Sequence, residues 1–575
     1  MYWKAAYEQW LNAPALSQQE REELRAIQND ETELRERFYA PLSFGTAGLR
    51  GTMKVGLHHM NVHIVRWVTQ GFAEVICTAS DRAGDRKAAV CMDGRKNSRH
   101  FAEAAAEVLA ANGITVYLFD GPRPTPELSF AVRAYGCLAG INITASHNPK
   151  EYNGYKAYWS DGAQLRTETA MAVSARLEKI DVFAGPKRME LQRGIRLGRI
   201  CLLGRACDEA YLKAVEELST AWPRMEADKE KVKIVYTPFH GCGYQLVPEI
   251  LRRTGLRRLL CEPRQMVLDG DFSTVESPNP ECPESFARAA ELASREKADL
   301  VLGTDPDCDR VGLLVRGPSG DFLPLSGNQT GVLLLDYLIG ARRRSGRLPE
   351  KAIVLKSIVT TDMAQAIAQD NGIACYETFT GFRFLAQRME QLEQEGVGEV
   401  IFAFEEAYGC MIGHHVRDKD GVSTAMLIGE MAAWHAGQNR SLYDALQALY
   451  MKYGWYGERT EQFYQTGQAG SKKIADFMTR LRKAPPKHIL GTRVVAVRDY
   501  LSNEQRSEGR KHSIPDQASN VLRFVLQDGA ELVVRPSGTE PKIKFYILVC
   551  GETPEKRDAL LEQYVAWING LEIAR

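Results

Sequence analysis

The sequence carries 12 cysteines, at positions 77 to 550, yet no two stand as Cys-x-x-Cys. The spacing therefore offers no metal or redox dithiol motif. No apolar run approaches the about 18–20 residues of a membrane helix, so no membrane association is expected. Neither charge is in surplus: Lys plus Arg and Asp plus Glu number 73 each. No global field points to nucleic acid or to an anionic surface, though a local basic pocket stays open. The opening stretch Tyr2 to Leu11 has the pattern of a packed amphipathic helix, not of a targeting segment. Free thiols in a reducing cytoplasm are the expectation that follows.

What is present is ordinary globular material, 44% apolar and 25% charged over 575 residues. At about 100–200 residues per domain that allows three to five domains. Residues 16–38 are charge-rich and helical in pattern, and read as a solvated helix. Lys87 to Met92, Lys231 to Tyr236 and Lys351 to Ser357 are similar openings: a strand, a turn, then a helix. They suggest a weak threefold repeat of α/β units. A polar stretch near 216–230 reads as a linker. After about residue 455 the pattern shifts to short strands (494–497, 521–526, 532–534), a polar loop over 502–519 and a closing helix over 554–571. That is the pattern of a smaller α+β domain.

Four stretches carry chemistry. Leu138 to Ile143 reads as a buried strand, and Asn148-Pro149 then forces a turn. Ser146 is thereby held on a tight loop at a strand end with His147 beside it, where open α/β sheets place ligands. The Asn153-Gly154 pair reads as a turn folding Lys156 back toward Ser146. Upstream, the glycines at 45, 48 and 51 let backbone amides approach a ligand, with Arg50 among them. Asp305, Asp307 and Asp309 alternate after the apolar strand Leu300 to Leu302, a donor set for a hard divalent cation. An EF-hand is excluded, because its glycine and glutamate positions fall on Arg310 and Arg316. A solvated acidic turn is the bland alternative. Glu405 and Glu406 follow the strand Val400 to Phe404 and suit sugar hydroxyls; a helix N-terminus would also favour acids there. Arg535-Pro536-Ser537-Gly538-Thr539 offers a guanidinium, two hydroxyls and an open amide, a compact phosphate cradle or a plain Pro-Gly turn.

Thr144-Ala145-Ser146-His147-Asn148-Pro149 closely resembles the active-site loop of the α-D-phosphohexomutases, the phosphoglucomutase and phosphomannomutase family. Leu42 to Gly51, Thr304 to Arg310 and Arg535 to Pro541 resemble that family's first, metal and phosphate loops. The order nucleophile, metal, sugar, phosphate runs through the chain. The resemblance implies three similar mixed α/β domains and a smaller α+β C-terminal domain around a central cleft, with expected bounds 1–205, 206–323, 324–452 and 453–575. It implies Ser146 as phosphoryl carrier, one Mg²⁺ per chain on Ser146, Asp305, Asp307 and Asp309, and Arg50 and Arg310 on the transferring group. Lys156 or His147 would move the proton, with Lys156 slightly favoured. Substrate contacts would come from Lys356, Thr380, Gly381, Arg383, Glu405, Ala407, Arg535, Ser537, Gly538 and Thr539. Phe404 and Ala407 depart from the usual Gly-Glu-x-Ser-Gly, and Arg383 stands where lysine is common. These forms look most like the subgroup with phosphopentomutases, glucose-1,6-bisphosphate synthases and bacterial phosphoglucomutases. The implied activity interconverts glucose 1-phosphate and glucose 6-phosphate through glucose 1,6-bisphosphate. Phosphopentomutase, phosphomannomutase or bisphosphate synthase are the alternatives. Small phosphosugars are the expected partners of a cytoplasmic monomer or weak homo-oligomer. A serine hydrolase is disfavoured because Ser146 lies in no Gly-x-Ser-x-Gly elbow. An aspartyl-phosphate phosphatase and a non-catalytic sugar-phosphate sensor stay as rivals.

Overall fold

A computed structural model of the chain describes residues 2–45, 48–80, 82–220, 225–465, 467–507, 509–514, 518–537 and 542–574. The chain divides into two compact units: Met1–Ile353 with Gly381–Tyr443, and Val354–Thr380 with Asp444–Arg575.

The first unit contains two mixed sheets and, apart from them, the antiparallel strand pair Glu399–Glu405 with Gly409–Met411. One sheet runs Leu49–Thr52, Tyr152–Trp159, Ala139–Ile143, Lys87–Met92, Thr115–Phe119, Ile200–Leu203. Its four parallel-paired strands are apolar because helices cover both faces; all five residues of Ala139–Ile143 are buried. The helices Val62–Ala79, Ser98–Ala111 and Thr125–Ala134 bury their apolar stripes in the same core. The second sheet runs Phe322–Leu325, Val311–Arg316, Leu300–Thr304, Ile234–Thr237, Leu259–Cys261. Here Leu300–Thr304 and Val311–Arg316 pair antiparallel, Thr304 opposite Val311. The aspartate-rich segment is therefore the tip of a hairpin.

The charged stretch 16–38 forms two helices, Gln18–Ala26 and Glu31–Phe38, started by the Ser17 and Asp30 caps. Neither is merely solvated: Leu24, Leu34 and Phe38 are buried, and Phe38 packs edge-on against Trp10 of the helix Tyr2–Leu11. The stretch expected as a linker near 216–230 includes the helix Glu226–Lys229; residues 221–224 lie outside the described set.

The expected Asn153-Gly154 turn is not formed. Both residues lie inside the strand Tyr152–Trp159, which pairs antiparallel with Ala139–Ile143 so that Asn142 faces Lys156. Lys156 reaches Ser146's loop by strand register, not by chain reversal. Gly154 also lies opposite Arg50. The glycine is required by crowding: a Cβ there would lie 2.5 Å from the Thr144 carbonyl oxygen and 2.8 Å from that of Leu49.

In the second unit an antiparallel sheet runs Trp455–Tyr464, Lys542–Gly551, Glu531–Pro536, Leu522–Leu526, Thr492–Asp499, Glu504–Ser507, Arg510–Ser513. The helices Gly467–Lys483 and Pro554–Asn569 pack on its apolar face. The polar loop expected over 502–519 instead contains the hairpin Glu504–Ser507 with Arg510–Ser513. Its two strands are polar on both faces, so the apolar alternation that marks a half-buried strand is missing.

Gly154→Ala should destabilise the protein by about 1–3 kcal/mol, the scale of forced overpacking, in urea unfolding. A loss below about 0.5 kcal/mol would mean that the strand crossing yields without cost.

Candidate active site

Ser146 follows the strand Ala139–Ile143 after a two-residue step and has a left-handed backbone, φ +53°. Such a conformation costs an L-residue roughly 1–2 kcal/mol, so the surroundings must hold it. Its N–H donates to Thr144 Oγ1 at 2.8 Å. Arg95 donates to the carbonyls of Ser146, Asn148, Pro149 and Tyr152 at 2.5–3.2 Å. Arg95 is itself ion-paired with Asp93 at 3.2 Å. One buried guanidinium thus ties the whole loop. The Ser146 side chain is buried, with the residue 2% exposed; its hydroxyl donates to Asp305 Oδ2 at 2.8 Å and lies 3.3 Å from His147 Nδ1.

The three aspartates converge: ligand oxygens of Asp305, Asp307 and Asp309 lie within 4.8 Å of one another, and all three residues are buried. Asp305 Oδ1 accepts the N–H groups of Asp309 and Arg310 at 3.1 and 3.0 Å. Lys156 Nζ donates to Asp307 Oδ2 at 2.6 Å and to Asp309 Oδ2 at 3.0 Å. Burial raises the carboxyl pKa of Asp305 far above the ordinary value, and Asp307 and Asp309 beside it add to the rise. Burial opposes ionisation at Asp307 and Asp309 too. Lys156, joined at Asp309 by Lys419 and Arg310, outweighs it and holds both below the usual range. Lys156 is in turn kept charged: burial lowers its pKa, and the two carboxylates more than reverse that. Asp307 Oδ1 and Asp309 Oδ1 are buried and have no hydrogen-bond partner among the described residues. Converging buried carboxylate oxygens are the donor set a hard divalent cation takes, so these residues fit one.

Glu405 ends the strand Glu399–Glu405, and Glu406, Ala407 and Tyr408 form the turn into Gly409–Met411. The acids sit on a hairpin tip, which removes the helix N-terminus alternative. Glu405 accepts the Gly381 N–H at 2.6 Å. Its pKa is raised to about 7, by burial and then by Glu406. Arg310 pairs with Glu281 at 2.6 Å and stands 4.0 Å from Asp309 Oδ1. Arg50 reaches Asn148 Oδ1 at 3.4 Å. Arg383 lies over the Phe384 ring.

The structure adds residues that sequence reasoning missed. Lys419 Nζ is 3.2 Å from Asp309 Oδ2 and 3.1 Å from Asp418 Oδ1. Its signal was available: Arg417-Asp418-Lys419-Asp420 is a four-charge run directly before the apolar helix Gly421–Gly437, and all four are buried. Thr125 is the other, donating to Asp307 Oδ2 at 2.7 Å.

The remaining expected site residues lie in the second unit. Lys356 is fully buried, and its three donors are spent on Thr360 O, Asp362 and Glu377 at 2.8–3.0 Å. Arg523 also binds Glu377, at 2.9 Å. Thr380 ends that unit's first segment with a buried hydroxyl. Arg535 lies in the strand Glu531–Pro536, half-buried, and the Ser537 N–H donates to Lys542 O at 2.8 Å. Gly538 and Thr539 lie outside the described residues.

With this geometry in hand, three family descriptions match in order: phosphoglucomutase/phosphomannomutase alpha/beta/alpha domain I over 41–183, domain II over 209–318 and domain III over 326–453. The chain belongs to the phosphoglucomutase/phosphomannomutase family. A phosphoglucomutase of Staphylococcus aureus (strain MRSA252) is 36% identical over 523 residues, covering 90% of this chain and 92% of that protein. Among solved structures, a putative phosphomannomutase from Thermus thermophilus matches with TM-score 0.68 at 21% identity, over 92% of this chain and all of that one. The Paramecium phosphoglucomutase parafusin matches with TM-score 0.66 at 18% identity, over 92% and 94%. Both support the fold: three α/β/α family domains and a further sheet domain. The acidic triad falls in domain II of this family, and Ser146 in domain I. Among the described residues no helix is long and apolar enough to cross a membrane.

The buried Lys356–Glu377–Arg523 cluster gives a pH-dependent stability. Burial opposes the Glu377 charge, but the two cations hold its pKa down at about 2. The resulting stability is complete above the unfolded carboxyl value of about 4.5 and fades as pH falls toward 2. Glu377→Gln should cost about 3 kcal/mol at pH 7 and less than half of that at pH 3, in urea unfolding. A cost independent of pH would contradict the cluster's electrostatic origin.

Proposed function

We propose that the protein is a phosphoglucomutase that carries the phosphoryl group on Ser146 and interconverts glucose 1-phosphate and glucose 6-phosphate. The observation that carries this reading is the Ser146 hydroxyl set 2.8 Å from the first of three converging buried aspartates. The extended likeness to phosphoglucomutases supports it.

Asp305, Asp307 and Asp309, with an oxygen on Ser146, would hold one Mg²⁺ per chain. When bound, that ion offsets the charge of a phosphoserine, which is about −1.5 to −2 near neutral pH. The sugar hydroxyl oxygen attacks phosphorus, the bond from phosphorus to Ser146 Oγ breaks, and glucose 1,6-bisphosphate forms. The hydroxyl proton passes to a base and Ser146 Oγ is left to be reprotonated or rephosphorylated. Return of the other phosphate to Ser146 completes the exchange, so the bisphosphate is both intermediate and activator.

The chain's own residues then take distinct parts. Arg50 and Arg310 stabilise charge on the transferring group. Lys156, anchored on Asp307 and Asp309, serves as a fixed cation and donor. His147, 3.3 Å from Ser146 Oγ, stands beside the serine oxygen, and Lys156 or His147 moves the sugar hydroxyl proton. Glu405, with Gly381, Arg383 and the Ala407 turn, reads the sugar. Ala407 has no hydroxyl, so Glu405 and Glu406 supply the acceptors there. Arg535, Ser537, Gly538 and Thr539 hold the phosphate that is not reacting. Lys356 orients Glu377 instead of touching the sugar, given its three saturated donors. The free state of all 12 cysteines supports a reducing, cytoplasmic setting, for a monomer or weak homo-oligomer.

Phosphorus NMR with glucose 1-phosphate, Mg²⁺ and a trace of the bisphosphate should show glucose 6-phosphate with wild type and none with Ser146→Ala. Asp307→Asn should lose more than about 100-fold, beyond the 10–100-fold typical of groups one contact away from a metal. Inorganic phosphate in place of an isomer, or isomerisation of pentose phosphates only, would overturn the assignment.

A further inference from the structure

We infer that Thr125 and Asn142 form a hydrogen-bond relay that aims the Asp307 carboxylate, making both of them positioning residues for the cation site. The inference rests on the cation reading of the three aspartates. It concerns two residues outside them, one opening the helix Thr125–Ala134 and one in the strand Ala139–Ile143.

Both side chains are fully buried. Thr125 Oγ1 lies 2.7 Å from Asp307 Oδ2, and Asn142 Nδ2 lies 2.7 Å from Thr125 Oγ1. The direction of the chain of bonds follows from donor counting. An ionised carboxylate only accepts, so the single threonine proton must point to Asp307. The hydroxyl can then only accept from Asn142, which must present its NH₂ group. Asn142 therefore sets the polarity of Thr125, and Thr125 sets the rotation of Asp307. The main chain is fixed in the same place: the Thr125 N–H donates to the Asp307 carbonyl at 2.8 Å.

The consequence shows on the carboxylate itself. Asp307 Oδ2 takes two donors, Thr125 at 2.7 Å and Lys156 at 2.6 Å. Asp307 Oδ1 is buried with no hydrogen-bond partner among the described residues. The capped oxygen cannot turn inward without breaking both bonds, so the bare one is held where a cation would use it. Asn142 and Lys156 are register partners on neighbouring strands, and side chains of such pairs share a face. One sheet thus delivers both the relay and the lysine to the same oxygen. Asp305 needs no such device, because two backbone N–H groups and Ser146 already fix its two oxygens.

The test is binding of Mn²⁺ to the dephosphorylated full-length enzyme, followed by electron paramagnetic resonance with Mg²⁺ as competitor, and does not depend on turnover. Wild type should bind one Mn²⁺ per chain. Thr125→Val, which keeps the shape and removes the proton, should weaken binding about 10–100-fold. Thr125→Ser should restore it to within about threefold of wild type, on the same scale. Asn142→Leu should weaken binding in the wild-type background and add nothing in the Thr125→Val background, because the two act in series. If Thr125→Val does not fold, Thr125→Ser and Asn142→Leu still report: wild-type affinity in Asn142→Leu overturns the relay. So does wild-type affinity in Thr125→Val, equal loss in Thr125→Ser and Thr125→Val, or additive losses in the double variant. Failure of wild type itself to bind Mn²⁺ overturns the cation reading and the relay together, which separates the two failures.

Discussion

Three carboxylates confined within 4.8 Å in a buried hairpin tip are the constraint on which the first unit depends. At an effective dielectric of about 20, two unit charges at that separation repel by about 3 kcal/mol, and Asp305 answers part of that repulsion by a raised pKa. The fold offsets this with groups drawn from separate segments. Lys156 comes from a strand of the first sheet, Lys419 from the start of a helix near residue 420, and two N–H groups from the hairpin itself. Each partner is buried, so each would be costly alone. The cluster is stable only when all its members are assembled, and assembly brings Ser146 to Asp305.

The Ser146 loop shows how local strain is held at such a place. Its left-handed serine persists because Arg95 ties four carbonyls of the loop and Gly154 lets three chain segments meet. Together they fix where Ser146 Oγ stands.

The α/β character, the strand before Ser146, the aspartate triplet and the family were all legible in the sequence, since each is written in a contiguous run with a strong local pattern. Missed features depend on distant pairing. Asn153-Gly154 reads locally as a turn, yet strand register places it in an extended segment where glycine answers crowding. Lys419 sits 110 residues beyond Asp309, the aspartate it faces. The family resemblance implies Lys356 as a substrate contact, but three acceptors packed around it use its donors. The 504–513 hairpin lacks an apolar face, so no periodicity announces it.

The central claim is that Ser146, and no aspartate, carries the phosphoryl group. It is tested most directly by incubating the protein with glucose 1,6-bisphosphate labelled in its phosphates and mapping the label by peptide mass spectrometry. The account predicts one acid-stable phosphate on Ser146, chased off by glucose 6-phosphate. An acid-labile acyl phosphate on Asp305, or label released only as inorganic phosphate, would contradict it.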